Sequence, residues 1–189
     1  MSLEEEIQKS VKLLKKGKIL LYPTDTIWGI GCDATNSKAI QNIYKLKKRS
    51  ERKAMIVLVD SADKLKNYLK KVPPVAYDLI QNSKTPLTIV YPEATNLAKN
   101  IVSDDGTIAI RVVVDEYCTE MIRQFGKPIV STSANFSNQP TATTFGQIED
   151  GIKEGVDHVV SVFQDRVRAV KSSTIIKLEA DNTFTILRK

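Results

Sequence analysis

Three stretches of this 189-residue chain gather side chains able to hold an anion or an amino acid. In the first, Thr24, Asp25 and Thr26 follow a short apolar run, residues 18–22, that Pro23 ends. Two hydroxyls around one carboxylate can bind an amino acid or orient a metal-bound phosphate. The same residue types also form turns by bonding local backbone. The second stretch is basic: Lys45, Lys47, Lys48, Arg49, Arg52 and Lys53, interrupted by Glu51. A triphosphate needs several cations, and the forked guanidinium of Arg49 matches phosphate oxygens in pairs. Cations also suit the C-terminal end of a helix, so a solvated helix end accounts for part of the run. The third stretch is Ser131-Thr132-Ser133-Ala134-Asn135. Its short hydroxyls and amide can meet ligand oxygens without filling a pocket, or can form an Asx or Ser/Thr turn. Thr141, Thr143 and Thr144 continue the same character and can cap a following helix.

Two arginines stand apart from these stretches. Arg111 interrupts the apolar strand pattern of residues 107–114, and a buried arginine needs a carboxylate from the fold or from a ligand. Arg188 closes the last strand pattern, where a solvated terminal charge is the plain reading, and Ser172-Ser173-Thr174 opens the one before it. The common nucleotide signatures, Gly-x-x-x-x-Gly-Lys-Ser/Thr and Gly-x-Gly-x-x-Gly, do not occur. Any ATP site is therefore not a P-loop. No Gly-x-Ser-x-Gly elbow occurs either, and the lone histidine, His158, allows neither a histidine relay nor a His-rich metal site.

The chain that must position these groups has the make-up of a globular protein, with 42% hydrophobic and 26% charged residues. It shows no repeat or linker, and residues 1–189 read as a single domain. Cys32 and Cys118 have neither metal spacing nor the number needed for a disulfide framework. A net charge of +6 favours polyanionic partners such as nucleotides or RNA. The acidic start, Glu4-Glu5-Glu6, argues against a targeting segment, and no apolar run approaches the roughly 18 residues of a membrane span. A cytoplasmic location without membrane contact is expected.

Periodicity supplies the elements. Ser2 and Glu5 make a capping box ahead of Leu3, Ile7, Val11 and Leu14 at helical spacing, with Gly17 as a left-handed stop. Residues 18–22 read as a strand, and Ser37 as the cap of a helix carrying Ile40, Ile43, Tyr44 and Leu46. Residues 55–59 form a second strand, followed by a Ser61-capped helix through Leu69. Pro73-Pro74 opens a helix near 75–80, 87–91 is a strand, and 96–106 is a polar loop. Then come a strand at 107–114, a helix at 115–125 stopped by Gly126, and a strand at 128–130. A short helix near 145–152 precedes strands near 157–163, 173–178 and 183–188. Alternation followed by clustered strands predicts a three-layer α/β domain with a mixed sheet.

In their order and spacing, these segments resemble the YrdC-like family of threonylcarbamoyl-adenylate synthases over nearly the whole chain. The anchors are Pro23-Thr24-Asp25-Thr26 with Gly29, Lys47-x-Arg49 with Lys53, Thr107-x-x-x-Arg111, Ser131-Thr132-Ser133-Ala134-Asn135, Ser173-Thr174 and Leu187-Arg188. The chain departs from the family pattern at Lys84-Thr85-Pro86, Val113 and Asn138. Asparagine at position 138 tolerates the left-handed backbone that the family's glycine would take. The chain also stops at Lys189, ahead of the further C-terminal domain of longer relatives.

The resemblance implies a twisted mixed parallel and antiparallel sheet whose concave face forms a basic cavity. It implies that L-threonine, bicarbonate and ATP, with magnesium carried by the nucleotide, give threonylcarbamoyl-AMP and pyrophosphate for the t6A modification of tRNA. Lys47, Arg49, Ser133 and Asn135 match the catalytic set. Thr24, Thr26, Arg111, Ser133 and Ser173 match the threonine site. Lys45, Lys47, Arg49, Lys53, Thr107, Asn135, Thr143 and Arg188 match the ATP site. No metal ligand is assigned to the protein itself. Downstream tRNA-modification proteins, and tRNA or double-stranded RNA, are the implied partners. Alanine at Lys47 or Arg49 is expected to remove pyrophosphate release and leave the fold intact. Two other classes fit the same residues: a double-stranded RNA or tRNA-binding module without catalysis, and a domain that uses carbamoyl-adenylate.

Overall fold

The computed structural model describes residues 1–48, 55–165, 172–179 and 181–189. The chain runs α1 (Leu3–Lys15), β1 (Leu20–Tyr22), β2 (Gly29–Gly31), α2 (Ser37–Leu46), β3 (Ile56–Val59), α3 (Pro74–Asn82) and β4 (Leu87–Tyr91). It continues with β5 (Ile108–Val112), α4 (Glu116–Phe125), β6 (Ile129–Ser133), α5 (Asp150–Gly155), β7 (His158–Val159), β8 (Thr174–Leu178) and β9 (Phe184–Arg188). Short 3-10 turns occupy Ala62–Asn67, Lys99–Ile101 and Phe145–Gln147.

Among the described residues nine strands join one sheet in the order β7-β1-β2-β6-β3-β5-β4-β8-β9. The pairs β1/β7, β3/β5 and β4/β8 are parallel, and the others antiparallel, which makes the α/β sheet mixed as expected. Register then decides which side chains share a face, because successive residues of a strand alternate sides. Val57, Val130, Ile110, Ile89 and Ile176 fall on one face and are buried in the core. Helices α1 and α4 pack together, α4 reaches β3, and Tyr117 in α4 donates to Ser10 Oγ in α1 at 2.7 Å. The other face carries Ser131, Ser133, Ile56, Arg111, Thr88, Ile175 and Arg188. It is this face that holds the polar groups.

Local sequence explains most element ends. Ser2 Oγ accepts from Glu5 N–H while the Glu5 carboxylate accepts from Ser2 N–H, so the expected capping box starts α1. Gly17 and Gly126 take φ of +70° and +78°, the left-handed stops. Three expectations need correction. Asn36, not Ser37, caps α2, with its Oδ1 accepting from Ala39 N–H. The segment after Ser61 is a six-residue 3-10 turn without a side-chain cap bond. The helix near 145–152 divides into the Phe145–Gln147 turn and α5, parted by Ile148 in extended backbone.

Strand β2 goes beyond the expected elements. Its two glycines serve packing: a Cβ on Gly31 would lie 2.1 Å from Val130 O and 2.8 Å from the Tyr22 ring. A Cβ on Gly29 would press on Ser131 Oγ at 3.0 Å. β2 therefore lies close against Tyr22 and β6.

One buried polar cluster ties the N-terminal helix to the sheet edge. Glu6 in α1, fully buried, accepts from Ser161 N–H at 3.0 Å and from Ser161 Oγ, and contacts the His158 ring. Burial raises the Glu6 pKa, but the bonds from His158 and Ser161 outweigh it and hold the carboxyl below its ordinary value of 4.5. A depressed carboxyl pKa stabilises the fold above that ordinary value and loses its contribution as pH falls through the folded one. Replacing Glu6 with Gln is therefore expected to flatten the decline in stability below about pH 4.5. Urea midpoints taken from pH 7 to pH 3 check this, and an unchanged acid slope would contradict it.

Candidate active site

The polar face opens into a cavity of about 740 Å³ of empty, partly open space. Its wall comes from Thr24, Thr26, Ile27, Trp28 and Gly29 of the β1–β2 segment, Met55 just before β3 and Ile56 in it, and Arg111 of β5. Ser131, Thr132 and Ser133 of β6, Thr141, Ser172, Ser173, Ile175 and Arg188 complete it. The cavity thus lies across a sheet face rather than along one edge of strand C-termini. Neighbouring strands of a mixed sheet run in opposite directions, so no common C-terminal edge exists for a ligand to occupy.

The turn and ligand readings of Thr24-Asp25-Thr26 prove compatible. Thr24 Oγ1 accepts from Thr26 N–H at 3.0 Å and donates to Ile27 O at 2.7 Å, which is turn chemistry. Both threonines still line the cavity, with their hydroxyls 3.0 Å apart.

Arg111 finds its carboxylate inside the fold. Its Nη2 lies 3.1 Å from Asp25 Oδ1, and Nη1 donates to Thr26 Oγ1 at 3.4 Å, with both charged side chains nearly excluded from solvent. Its Nε is buried without a hydrogen-bond partner among the described residues. Asp25 is not among the cavity-lining residues, so its place is behind the guanidinium.

Arg188 lies on an exposed strand, yet its guanidinium is turned onto Ser173 rather than left free in solvent. Its Nε and Nη2 donate to Ser173 O at 3.1 and 2.9 Å, and Nη2 also reaches Ser173 Oγ at 3.2 Å. Partial burial, and then the charge of Arg111, lower the Arg188 pKa. Two like-charged guanidiniums lining one hydroxyl-rich cavity raise each other's energy, and an anion between them would lower it.

Lys47 stands behind the β6 end of the cavity. It caps α2, is almost fully buried, and its ammonium donates to Ser133 O and Asn135 O. Asn135 uses its amide N–H groups on Phe136 O and Gln139 O, both at 2.8 Å, and keeps a buried Oδ1 without a hydrogen-bond partner among the described residues. That clamp closes the loop in which Asn138 takes φ +67°, the left-handed position expected of it.

The structure thus brings Thr24, Thr26, Arg111, Ser133, Ser173 and Arg188 to one cavity, with Lys47 and Asn135 bound to the Ser133 segment. Thr143 lines a smaller adjoining cavity with Pro23, Trp28 and Phe163, and its hydroxyl donates to Gln147 Oε1 at 2.7 Å. Lys45 is exposed on α2, and Thr107 lies before β5 with its hydroxyl donating to Asp105 at 2.7 Å; neither is among the cavity-lining residues. Arg49 and Lys53 lie outside the described residues.

Sequence reasoning passed over the apolar floor, Met55, Ile56 and Ile175, and the aromatic wall. Trp28 is buried and packs on Phe145, ring centroids 4.9 Å apart and planes tilted by 50°. A lone tryptophan two residues beyond Thr26 was the available signal. Among the described residues no cluster of three His, Cys, Asp or Glu is placed to hold a metal ion, and no helix is long and apolar enough to cross a membrane.

Known proteins resemble this chain over most of its length. The Sua5/YciO/YrdC family, described as "Telomere recombination", matches residues 12–189. A threonylcarbamoyl-AMP synthase of Hahella chejuensis is 35% identical over 153 residues, 80% of this chain and 83% of that protein. P. abyssi Sua5 complexed with L-threonine superposes with a TM-score of 0.89 at 25% identity, over all of this chain and 54% of that one. The chain therefore spans little more than half of that protein. HypF in its phosphate- and nucleotide-bound form shares the fold at a TM-score of 0.83 and 22% identity, covering 97% of this chain and 28% of the other. On a match that spans almost its whole length, the chain belongs to the Sua5/YciO/YrdC family.

Proposed function

We propose that the chain is an L-threonylcarbamoyladenylate synthase, a nucleotidyltransferase that supplies the threonylcarbamoyl group for t6A in tRNA. The observation that carries this reading is the pair of guanidiniums, Arg111 and Arg188, facing one cavity lined with threonine and serine hydroxyls. The amine of L-threonine condenses with bicarbonate to a carbamate, releasing water. A carbamate oxygen then attacks the α-phosphorus of ATP, the bond to the bridging oxygen breaks, and pyrophosphate leaves.

Both reacting partners are anions, so the protein must gather charges that repel in water and hold them in line. Arg111 takes the threonine carboxylate as a fork, kept in orientation by Asp25 and Thr26. Thr24, Thr26 and Ser173 line the side where the amino acid sits, and Arg188 stands against the phosphates. Lys47 and Asn135 hold the Ser133 segment, and Arg49 and Lys53 add cations from the basic run. The described cavity wall offers hydroxyls and guanidiniums but no carboxylate, a donor set that suits magnesium brought in on the nucleotide rather than held by the protein. Bound so, the ion offsets triphosphate charge. The intermediate passes to downstream tRNA-modification proteins in the cytoplasm, with tRNA as the final acceptor.

Pyrophosphate release measured with protein, ATP, magnesium and bicarbonate, with and without L-threonine, tests the reading. Release that depends on threonine is expected. No release, together with salt-sensitive binding of duplex RNA, would favour a binding module. Release that depends on an added carbamoyl donor instead of threonine would favour a domain that uses carbamoyl-adenylate.

A further inference from the structure

Ser173 makes more contacts than a serine of the cavity wall needs. Its Oγ lies 3.2 Å from Arg188 Nη2 and 2.8 Å from Thr88 Oγ1. A guanidinium can only donate, so one lone pair of Ser173 Oγ is taken by Arg188. The direction of the bond to Thr88 then decides what remains of the hydroxyl.

Thr88 lies in the middle of β4, is fully buried, and has its register partner Arg111 on one side and Ile175 on the other. Ser173 is the one hydrogen-bond partner of its hydroxyl among the described residues. If Ser173 donated, the Thr88 proton would be buried with no acceptor, which costs more than a spare lone pair. Thr88 therefore donates to Ser173. Both lone pairs of Ser173 Oγ are then occupied, by Thr88 and by Arg188, and only its proton is left for the cavity that Ser173 lines.

We propose that Thr88 is a positioning residue that makes Ser173 an obligate hydrogen-bond donor toward the bound substrate. The group Ser173 reads is then an acceptor, a carboxylate or phosphate oxygen, and not an ammonium. This rests on the reading of the cavity as a site for L-threonine and ATP, and within it moves Ser173 to the carboxylate side, beside Arg111. A threonine suits the task because its branched Cβ restricts χ1 and so limits where the hydroxyl can turn.

The test compares wild type with Thr88→Val, Thr88→Ser, Ser173→Ala and the Thr88→Val/Ser173→Ala double variant in threonine-dependent pyrophosphate release. Valine keeps the shape of threonine and removes the hydroxyl. The expected result is a KM for L-threonine about 5–10-fold higher in Thr88→Val, with a smaller change in kcat and near-recovery in Thr88→Ser. In the Ser173→Ala background Thr88→Val should have no further effect, because its only route is through that serine. Urea midpoints establish that each variant is folded, and Thr88→Ala, which also removes the hydroxyl, carries the comparison if Thr88→Val is not folded. Additive effects in the double variant, or an unchanged KM in a folded Thr88→Val, would overturn the proposal. An inactive wild type would instead overturn the synthase reading on which it rests.

Discussion

Replacing Arg111 with Met is expected to reduce threonine-dependent pyrophosphate release by about 100-fold or more, and to lower stability by about 3–5 kcal/mol. Two separate losses are combined in that variant. The first is the fork for the substrate carboxylate, which methionine cannot supply. The second is internal: Asp25, nearly buried and 3.1 Å from the guanidinium, would be left as a carboxylate without its cation. An Asp25→Asn/Arg111→Met double variant separates them. Removing both charges from a buried pair is far less costly than removing one, so the double variant should regain much of the lost stability. It should remain inactive, because the carboxylate clamp is still missing. Arg111→Lys tests the geometry, since a point charge cannot hold Asp25 and a ligand carboxylate with paired bonds. Urea unfolding and pyrophosphate release, measured on the same preparations, decide the matter. Wild-type turnover in a folded Arg111→Met protein would remove Arg111 from substrate binding.

The sequence made Arg111 conspicuous because a cation in an apolar strand needs a partner, but it could not say which partner. Asp25 lies 86 positions away in the chain, and only the strand order β2-β6-β3-β5 brings the two together. Elements with strong local signals were legible: the capping box of α1, the left-handed glycines at 17 and 126, and the apolar run of β5. Strand β2 was not, because Gly-Ile-Gly has low strand propensity and its reason for being there is the close approach of Tyr22 and Val130. Thr88 escaped notice for the opposite reason. A threonine among Leu87, Ile89, Val90 and Tyr91 looks like an ordinary β-branched strand residue, and its polarity matters only once register sets it beside Arg111. Arg188 likewise lacks any local mark that separates a solvated terminal charge from one turned onto Ser173. It was the likeness to a family, carried by several short segments in order, that selected it.

Position 47 departs most from a reading based on charge alone. A lysine in a basic helix end suggests an exposed cation reaching for phosphate, and its loss should then spare the fold. Yet Lys47 is about as buried as the core isoleucines, and its ammonium is spent on the carbonyls of Ser133 and Asn135. Those two carbonyls belong to the turn that ends β6 and sets the Ser133 hydroxyl in the cavity wall. Lys47→Met keeps the aliphatic stem and removes the donors; Ser133 O still accepts from Asn135 N–H at 3.0 Å, but Asn135 O loses the ammonium in a site that water reaches poorly. A loss of about 1–3 kcal/mol is expected, the cost of leaving one buried acceptor unmade. Activity should fall about 100-fold even where the protein is fully folded, because the Ser133–Asn135 turn no longer holds its shape and a small misplacement of site groups is costly. Assays at low temperature, with folding verified by urea titration, separate the two effects. If the folded fraction of Lys47→Met turned over at the wild-type rate, Lys47 would be a strut for the β6 end and nothing more. The electrostatic work on the triphosphate would then fall to Arg188 and to the cations of the basic run beyond it.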